Sequence, residues 1–156
     1  MDDDSIFTTY CGLYCKDCIP SRKELFSTAA RLDQLLIELQ FDRYAELKAG
    51  QTYWSEANHE FKHYPEFVSV LRAIRNLECK SVCRKGGGWK GDRCQVRNCA
   101  MEKHLTGCWE CAGYKTCELL APLLKFHPNL EYHLELIKNE GIQNWRAKRK
   151  GHYPWS

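Results

Sequence analysis

The chain has 156 residues, 44% of them hydrophobic and 28% charged, with a formal net charge of +3. That length buries an ordinary core without staples, so its ten cysteines do not compensate for small size. Mean hydropathy is −0.56, no apolar run approaches the roughly 18 residues of a membrane span, and residues 1–6 lack the basic and apolar regions of a secretion signal. These features exclude an integral membrane protein and point to a reducing, cytoplasmic setting in which the thiols stay free.

The acidic start leads into Tyr10-Cys11-Gly12-Leu13-Tyr14-Cys15-Lys16-Asp17-Cys18, a tight loop in which Gly12 can take the positive φ that metal knuckles use. Pro20 and Ser21 open a predicted helix that runs to about Gln40, with Ser21 and Glu24 as a capping box. Leu25, Ala29, Leu32, Leu36 and Leu39 form its predicted core-facing stripe. A short helix from Asp42 to Lys48 stops at Gly50, and another segment runs from Ser55 to about His63. Pro65, best tolerated in a first helical turn, then starts a helix with Phe67, Leu71, Ile74 and Leu77 on one face and Cys79 at its end.

From Cys79 to Cys117 the chain turns glycine-rich and carries seven of the ten cysteines, with one short helix predicted from Gln95 to His104 and ended near Gly107. Helical patterning returns from Glu118 to Phe126, from Pro128 to Glu140 with Gly141 as the stop, and from Ile142 to Lys150. There is no repeat, no low-complexity linker and no strand series. The expected fold is mainly α: a small single-domain helical protein over 1–156 whose cysteine-rich metal-binding loops pin helices together, with zinc-ribbon-like or knuckle elements as their local form.

A thiolate is a soft, anionic ligand, and several of them a turn apart suit one zinc ion or one iron–sulfur cluster. Cys79 with Cys83 and Cys94 with Cys99 are two pairs separated by ten residues, the layout of a four-cysteine zinc site and the best first grouping. Cys108 and Cys111 have the usual two-residue gap with Cys117 behind them, and Cys15 and Cys18 have it with Cys11 before them. These two triplets are expected to share the second site. Four and four leave two thiols as buried bystanders or reactive groups. Eight thiolates against two zinc ions would take the formal charge from +3 to −1, so the apparent basicity is weak support for nucleic-acid binding. Zinc is the expected cofactor and a [4Fe–4S] cluster the alternative. The spacing of Cys11, Cys15 and Cys18 also matches radical enzymes that leave one cluster iron open, but those need a barrel of repeated strand–helix units that this chain cannot supply.

Three other segments carry recognisable chemistry. His59-Glu60-Phe61-Lys62-His63 matches the zinc-peptidase pattern of two histidines one helical turn apart around a water-activating glutamate. It would need a third ligand such as Glu78, Glu102 or His104, and Pro65 disfavours helix at Tyr64, so solvated histidines on a polar face are the preferred reading. The run from Arg84 to Arg93, with glycines at 86, 87, 88 and 91, is read as a flexible connection ahead of a phosphate cradle. Arg146, Lys148, Arg149 and Lys150 with Trp145, Tyr153 and Trp155 are read as a charged helix end and an aromatic tail packed on the domain, ahead of a nucleic-acid surface.

The order Cys11-Gly12-Leu13-Tyr14-Cys15-Lys16-Asp17-Cys18, then Cys79 and Cys83 followed by Arg84 and glycines, then Cys94-Gln95-Val96-Arg97-Asn98-Cys99-Ala100-Met101-Glu102-Lys103, then Cys108, Cys111 and Cys117-Glu118-Leu119-Leu120, resembles the prokaryotic domain-of-unknown-function family DUF3795. The resemblance spans residues 11 to about 120 and leaves 121–156 as a helical C-terminal extension. It implies metal binding by these ten cysteines in a small protein of unestablished activity. A closed four-thiolate zinc site admits no substrate, so the expected role is binding or scaffolding with a protein partner and no enzymatic step. An iron–sulfur redox or sensor protein and a zinc hydrolase are the rivals.

Overall fold

Proline and glycine set the limits of several helices. In the computed structural model, which describes residues 3–51, 56–88 and 93–156, six α-helices are joined by short 3₁₀ turns: α1 (Lys23–Glu38), α2 (Phe41–Ala49), α3 (Tyr64–Arg75), α4 (Gln95–Glu102), α5 (Ala121–Phe126) and α6 (Leu130–Glu140). Pro65 and Pro122 occupy the first turns of α3 and α5, where the missing N–H costs no intrahelical bond. Gly141, at φ 81°, ends α6 as predicted. The described residues contain no strand. One antiparallel bridge, Thr8 with Tyr14, closes the loop that carries Cys11, and the ribbon form of the metal loops is not seen among them. None of the described helices is long and apolar enough to cross a membrane.

The chain divides into two compact units, Arg22–Glu78 and the pair Met1–Ser21 with Cys79–Ser156. All ten cysteines fall in the second of these.

In Arg22–Glu78, α1 lies against α3, and α2 against a 3₁₀ helix at Glu56–His63. Phe41 gathers the aromatic cluster, with ring centroids 6.0 Å from Phe61 and 5.3 Å from Tyr64. Two details of α1 differ from the sequence reading. Ser21 does not form the capping box: it lies in a 3₁₀ turn, Ile19–Ser21, and Arg22 takes the cap position with no side-chain bond. The buried stripe is Phe26, Ala29 and Asp33, while Leu25, Leu32 and Leu39 are exposed. The helix rotates toward Asp33 because that carboxylate is buried at 2% exposure and is paired with Arg72 and Arg75 of α3.

In the cysteine-bearing unit the core forms around Trp145, at 0% exposure, with Leu120, Leu134, Ile137 and Tyr14. Its indole N–H donates to Thr8 Oγ1 at 3.1 Å, and Tyr14 meets the ring edge-on at 6.0 Å. The N-terminal loop is thereby fixed to the body of the unit. The predicted last helix, Ile142 to Lys150, reduces to one 3₁₀ turn at Trp145–Lys148. Arg149 has already returned to extended backbone, at φ −66° and ψ 150°, because its side chain reaches Asp17 (Nε to Oδ2, 2.6 Å).

Gly12 has φ 88°, and a Cβ there would sit 2.8 Å from Leu134 Cδ2. The loop was predicted to need this conformation, and its contact with α6 adds a second reason. Gly12→Ala is expected to destabilise the protein by about 1–2 kcal/mol from the backbone alone, and by more once buried Leu134 is displaced. Gly113→Ala, at φ −97° with open space around it, should stay within about 0.5 kcal/mol of wild type. Urea denaturation of the two variants checks the contrast.

His152 is 6% exposed, and burial, with His127 next in effect, pushes its pKa down to about 4 while Asp17 opposes the shift. The unfolded chain binds this proton below about pH 6.5 and the folded chain does not, so the stabilisation is complete above that pH and fades as pH falls toward 4. Between pH 7 and pH 5 the loss is about 2 kcal/mol. Denaturation midpoints should fall over this interval in wild type and clearly less in His152→Gln; equal slopes would remove His152 as the cause.

Candidate metal centre

Three of the cysteine loops are built on the same local device. Single 3₁₀ turns begin at Cys15, Cys83 and Cys108, and in each the N–H three residues on returns to the cysteine carbonyl: Cys18 to Cys15 at 3.2 Å, Gly86 to Cys83 at 3.1 Å, Cys111 to Cys108 at 3.1 Å. Residues i and i+3 eclipse in a 3₁₀ turn. A Cys-x-x-Cys sequence therefore puts both of its thiols on one side, which is what a shared ligand requires. In the Cys83 turn the eclipsed position is Gly86, at φ 82°, so this turn carries a single thiol.

Backbone hydrogen bonds tie the loops together. Cys108 N–H donates to Tyr10 O at 2.7 Å, joining the first loop to the last. Cys79 N–H donates to Pro20 O at 2.8 Å, joining the first to the second. Thr9 Oγ1 lies 3.1 Å from Cys11 Sγ and accepts Leu13 N–H at 2.9 Å. Backbone N–H groups of Leu13, Cys83 and Tyr10 favour the thiolates of Cys11, Cys15 and Cys83 respectively.

The electrostatics reveal which thiols are neighbours. Burial pushes Cys11 up to about 12, Cys15 to about 11 and Cys108 to about 12, and Cys18 and Cys83 are raised for the same reason. Nearby thiols add to each rise. Cys15 feels Cys83, Cys79 and Cys18, and Cys18 feels Cys79. Cys108 feels Cys11 first, then Cys117, Cys99 and Cys111, and the last three also act on exposed Lys103. Cys11 and Cys94 stand between these sets, each near Cys83, with Cys11 also near Cys108.

Cys15 thus has Cys79 and Cys83 beside it and Cys108 has Cys99, while Cys94 also acts on Cys83; the Pro20–Cys79 hydrogen bond brings the second loop to the first. Among the described residues no three His, Cys, Asp or Glu side chains are already arranged to hold a metal ion. The donor set is soft and thiol-only, which fits zinc or an iron–sulfur cluster and not a hard cation.

Arg84 of the basic segment and Arg97 of α4 belong to this framework. Arg84 donates to Thr8 O at 2.6 Å and Thr106 O at 2.8 Å, with its guanidinium 4.6 Å from the Tyr10 ring centroid. Buried Arg97 donates to Gly87 O at 2.8 Å and Cys83 O at 3.3 Å. Both guanidinium charges favour the Cys83 thiolate. The described part of the glycine run is a folded turn, with Gly87 N–H on Val82 O and Gly88 N–H on Ser81 O; Trp89, Lys90, Gly91 and Asp92 lie outside the described residues. Sequence reasoning missed Arg84 and Arg97 as partners of the thiols, although Arg84 directly follows Cys83.

The HEFKH segment is a 3₁₀ helix. At 3.0 residues per turn, His59 and His63 point about 120° apart instead of sharing a face. His59 Nε2 meets Lys62 Nζ at 2.6 Å, and Glu60 and His63 border a groove of about 380 Å³ with Leu32, Leu36, Phe41 and Phe67. The geometry of a peptidase zinc site is not formed. Ser55, which was to open this segment, lies outside the described residues.

A helical protein whose loops gather ten free thiols in one unit belongs to the cysteine-rich helical class. Within it the chain is a member of the family described as Protein of unknown function (DUF3795), whose pattern it matches over residues 7–122. No curated protein and no solved structure matches it.

Arg84→Lys keeps the charge but loses the two-carbonyl fork and the stacking plane. It should cost about 1.5–3 kcal/mol, read by urea denaturation. Wild-type stability in this variant would show that the fork contributes nothing.

Proposed function

We propose that this protein binds metal through its cysteine thiolates, zinc being the ion, and that the metal holds the cysteine-bearing unit in shape as a binding or scaffolding module. The observation that carries this reading is the crowding of free thiols from separate chain segments in one unit. Burial and mutual repulsion oppose ionisation of Cys11, Cys15 and Cys108, and a divalent cation is what reverses both effects. Cys15, Cys18, Cys79 and Cys83 are the residues to hold one ion, and Cys99, Cys108, Cys111 and Cys117 a second. Bound zinc would supply neutralisation of four thiolates and a rigid tetrahedral tie between loops; four-thiolate closure leaves no position for a substrate.

Protein purified anaerobically and analysed for metal tests the reading, together with its visible absorption. Two equivalents of zinc in a colourless protein are expected, falling to one in Cys15→Ser and separately in Cys111→Ser. Brown protein with stoichiometric iron would replace zinc by an iron–sulfur cluster. A protein without stoichiometric metal that keeps its fold in strong chelator would end the proposal. Because the buried thiols hold their protons near neutrality, zinc added to the stripped protein should release protons, and its affinity should fall as pH is lowered.

A further inference from the structure

Residues 149–156 lie beyond the family match and form no helix or strand, yet they are firmly attached on two sides. On one side, residues at the start of α6 satisfy the backbone leading into and along this segment. Tyr132 Oη donates to Lys148 O at 3.2 Å, Lys150 N–H donates to His133 Nε2 at 3.1 Å, Asn129 Nδ2 donates to Gly151 O at 3.0 Å, and His127 Nδ1 meets His152 O at 2.8 Å. An irregular segment whose backbone is held by successive side chains is a built conformation.

On the other side the segment grips the Cys15–Cys18 loop. Arg149 makes a two-pronged ion pair with Asp17, Nε to Oδ2 at 2.6 Å and an Nη to Oδ1 at 2.8 Å, while its guanidinium lies 4.7 Å from the Tyr14 ring centroid. Tyr153 Oη accepts Ile19 N–H at 3.0 Å and donates to Cys18 Sγ at 3.6 Å. The Tyr153 ring is stacked on Trp155 at 4.9 Å and meets His152 at 4.5 Å. Asp17 sits between the two cysteines of the loop, so the ion pair fixes the spacer and the hydroxyl addresses the sulfur.

We infer that residues 149–156 are a clasp on the Cys15–Cys18 loop, in which Arg149 acts through Asp17 as a positioning residue while the Tyr153 hydroxyl holds Ile19 N–H and Cys18 Sγ in place. Its purpose rests on the metal reading: such outer partners hold a ligand in its bound rotamer and govern how readily a competitor reaches it. Its geometry does not rest on that reading. Opening the ion pair frees the spacer between the two cysteines and makes the Cys18 sulfur easier to reach.

Iodoacetamide alkylation followed by peptide mass spectrometry, on the protein as purified and after chelation, reads this as the rate at Cys18 divided by the rate at Cys117 in the same molecules. Arg149→Gln and Asp17→Asn should each raise the ratio about three- to tenfold, and the double variant should go no further than either alone. An unchanged ratio in both ion-pair variants overturns the clasp. Absence of metal from the purified protein would instead remove the metal reading, and the ratio on that same protein still decides the clasp.

Discussion

Buried thiols that face one another cannot all ionise unless something positive joins them. This constraint governs the cysteine-bearing unit. Each thiol brought inside loses water as a stabiliser of its charge, and each neighbour raises the penalty for the next. The chain answers with small contributions: backbone N–H groups on Cys11, Cys15 and Cys83, the guanidinium charges of Arg84 and Arg97 near Cys83, and the Tyr153 hydroxyl on Cys18. These are insufficient, since Cys11 and Cys108 remain pushed up to about 12. Without a cation these thiols keep their protons at neutral pH.

Holding the thiols together requires the loops to be braced from behind, and Trp145 provides the brace. It is a large, rigid side chain whose single polar atom finds Thr8, so burying it leaves nothing unsatisfied. The same ring receives the edge of Tyr14 and lies beside His133, which brings the first cysteine loop onto α6. Gly12 then packs against Leu134 at a distance that excludes any side chain. The position of Cys11 and Cys15 thus follows from an aromatic contact made more than a hundred residues along the chain.

Local chemistry was legible in the sequence wherever one residue type dictates the backbone. Pro65 starting α3, Gly141 ending α6 and the positive φ of Gly12 are of this kind. That the N-terminal cysteine loop joins the cysteine-rich second half was legible too. What spacing did not carry was partnership. Cys79 pairs with the first loop because Pro20 O accepts its N–H across 59 residues, and no local signal announces that bond. The stripe of α1 failed for a related reason: Asp33 looks like a surface residue until Arg72 and Arg75 are known to lie opposite it. Of the tail residues, Trp145 is buried as expected while Trp155 is 75% exposed, and no local signal announces the ion pair of Arg149 with Asp17.

The Pro20–Cys79 bond also explains how a separate helical unit can be carried inside the cysteine framework. Arg22–Glu78 leaves and re-enters the chain between Ser21 and Cys79, and insertions are tolerated where the two ends lie close together. Closing a loop of that length costs entropy that grows only slowly with its size, so one hydrogen bond with adjacent packing can mark the root. Cys15 and Cys18 lie just before the root, and Cys79 and Cys83 just after it. On the proposed metal reading, an ion shared by these four would tie the same two loops that the Pro20–Cys79 bond joins, and the clasp at Asp17 and Cys18 holds the first of those loops from the C-terminal segment.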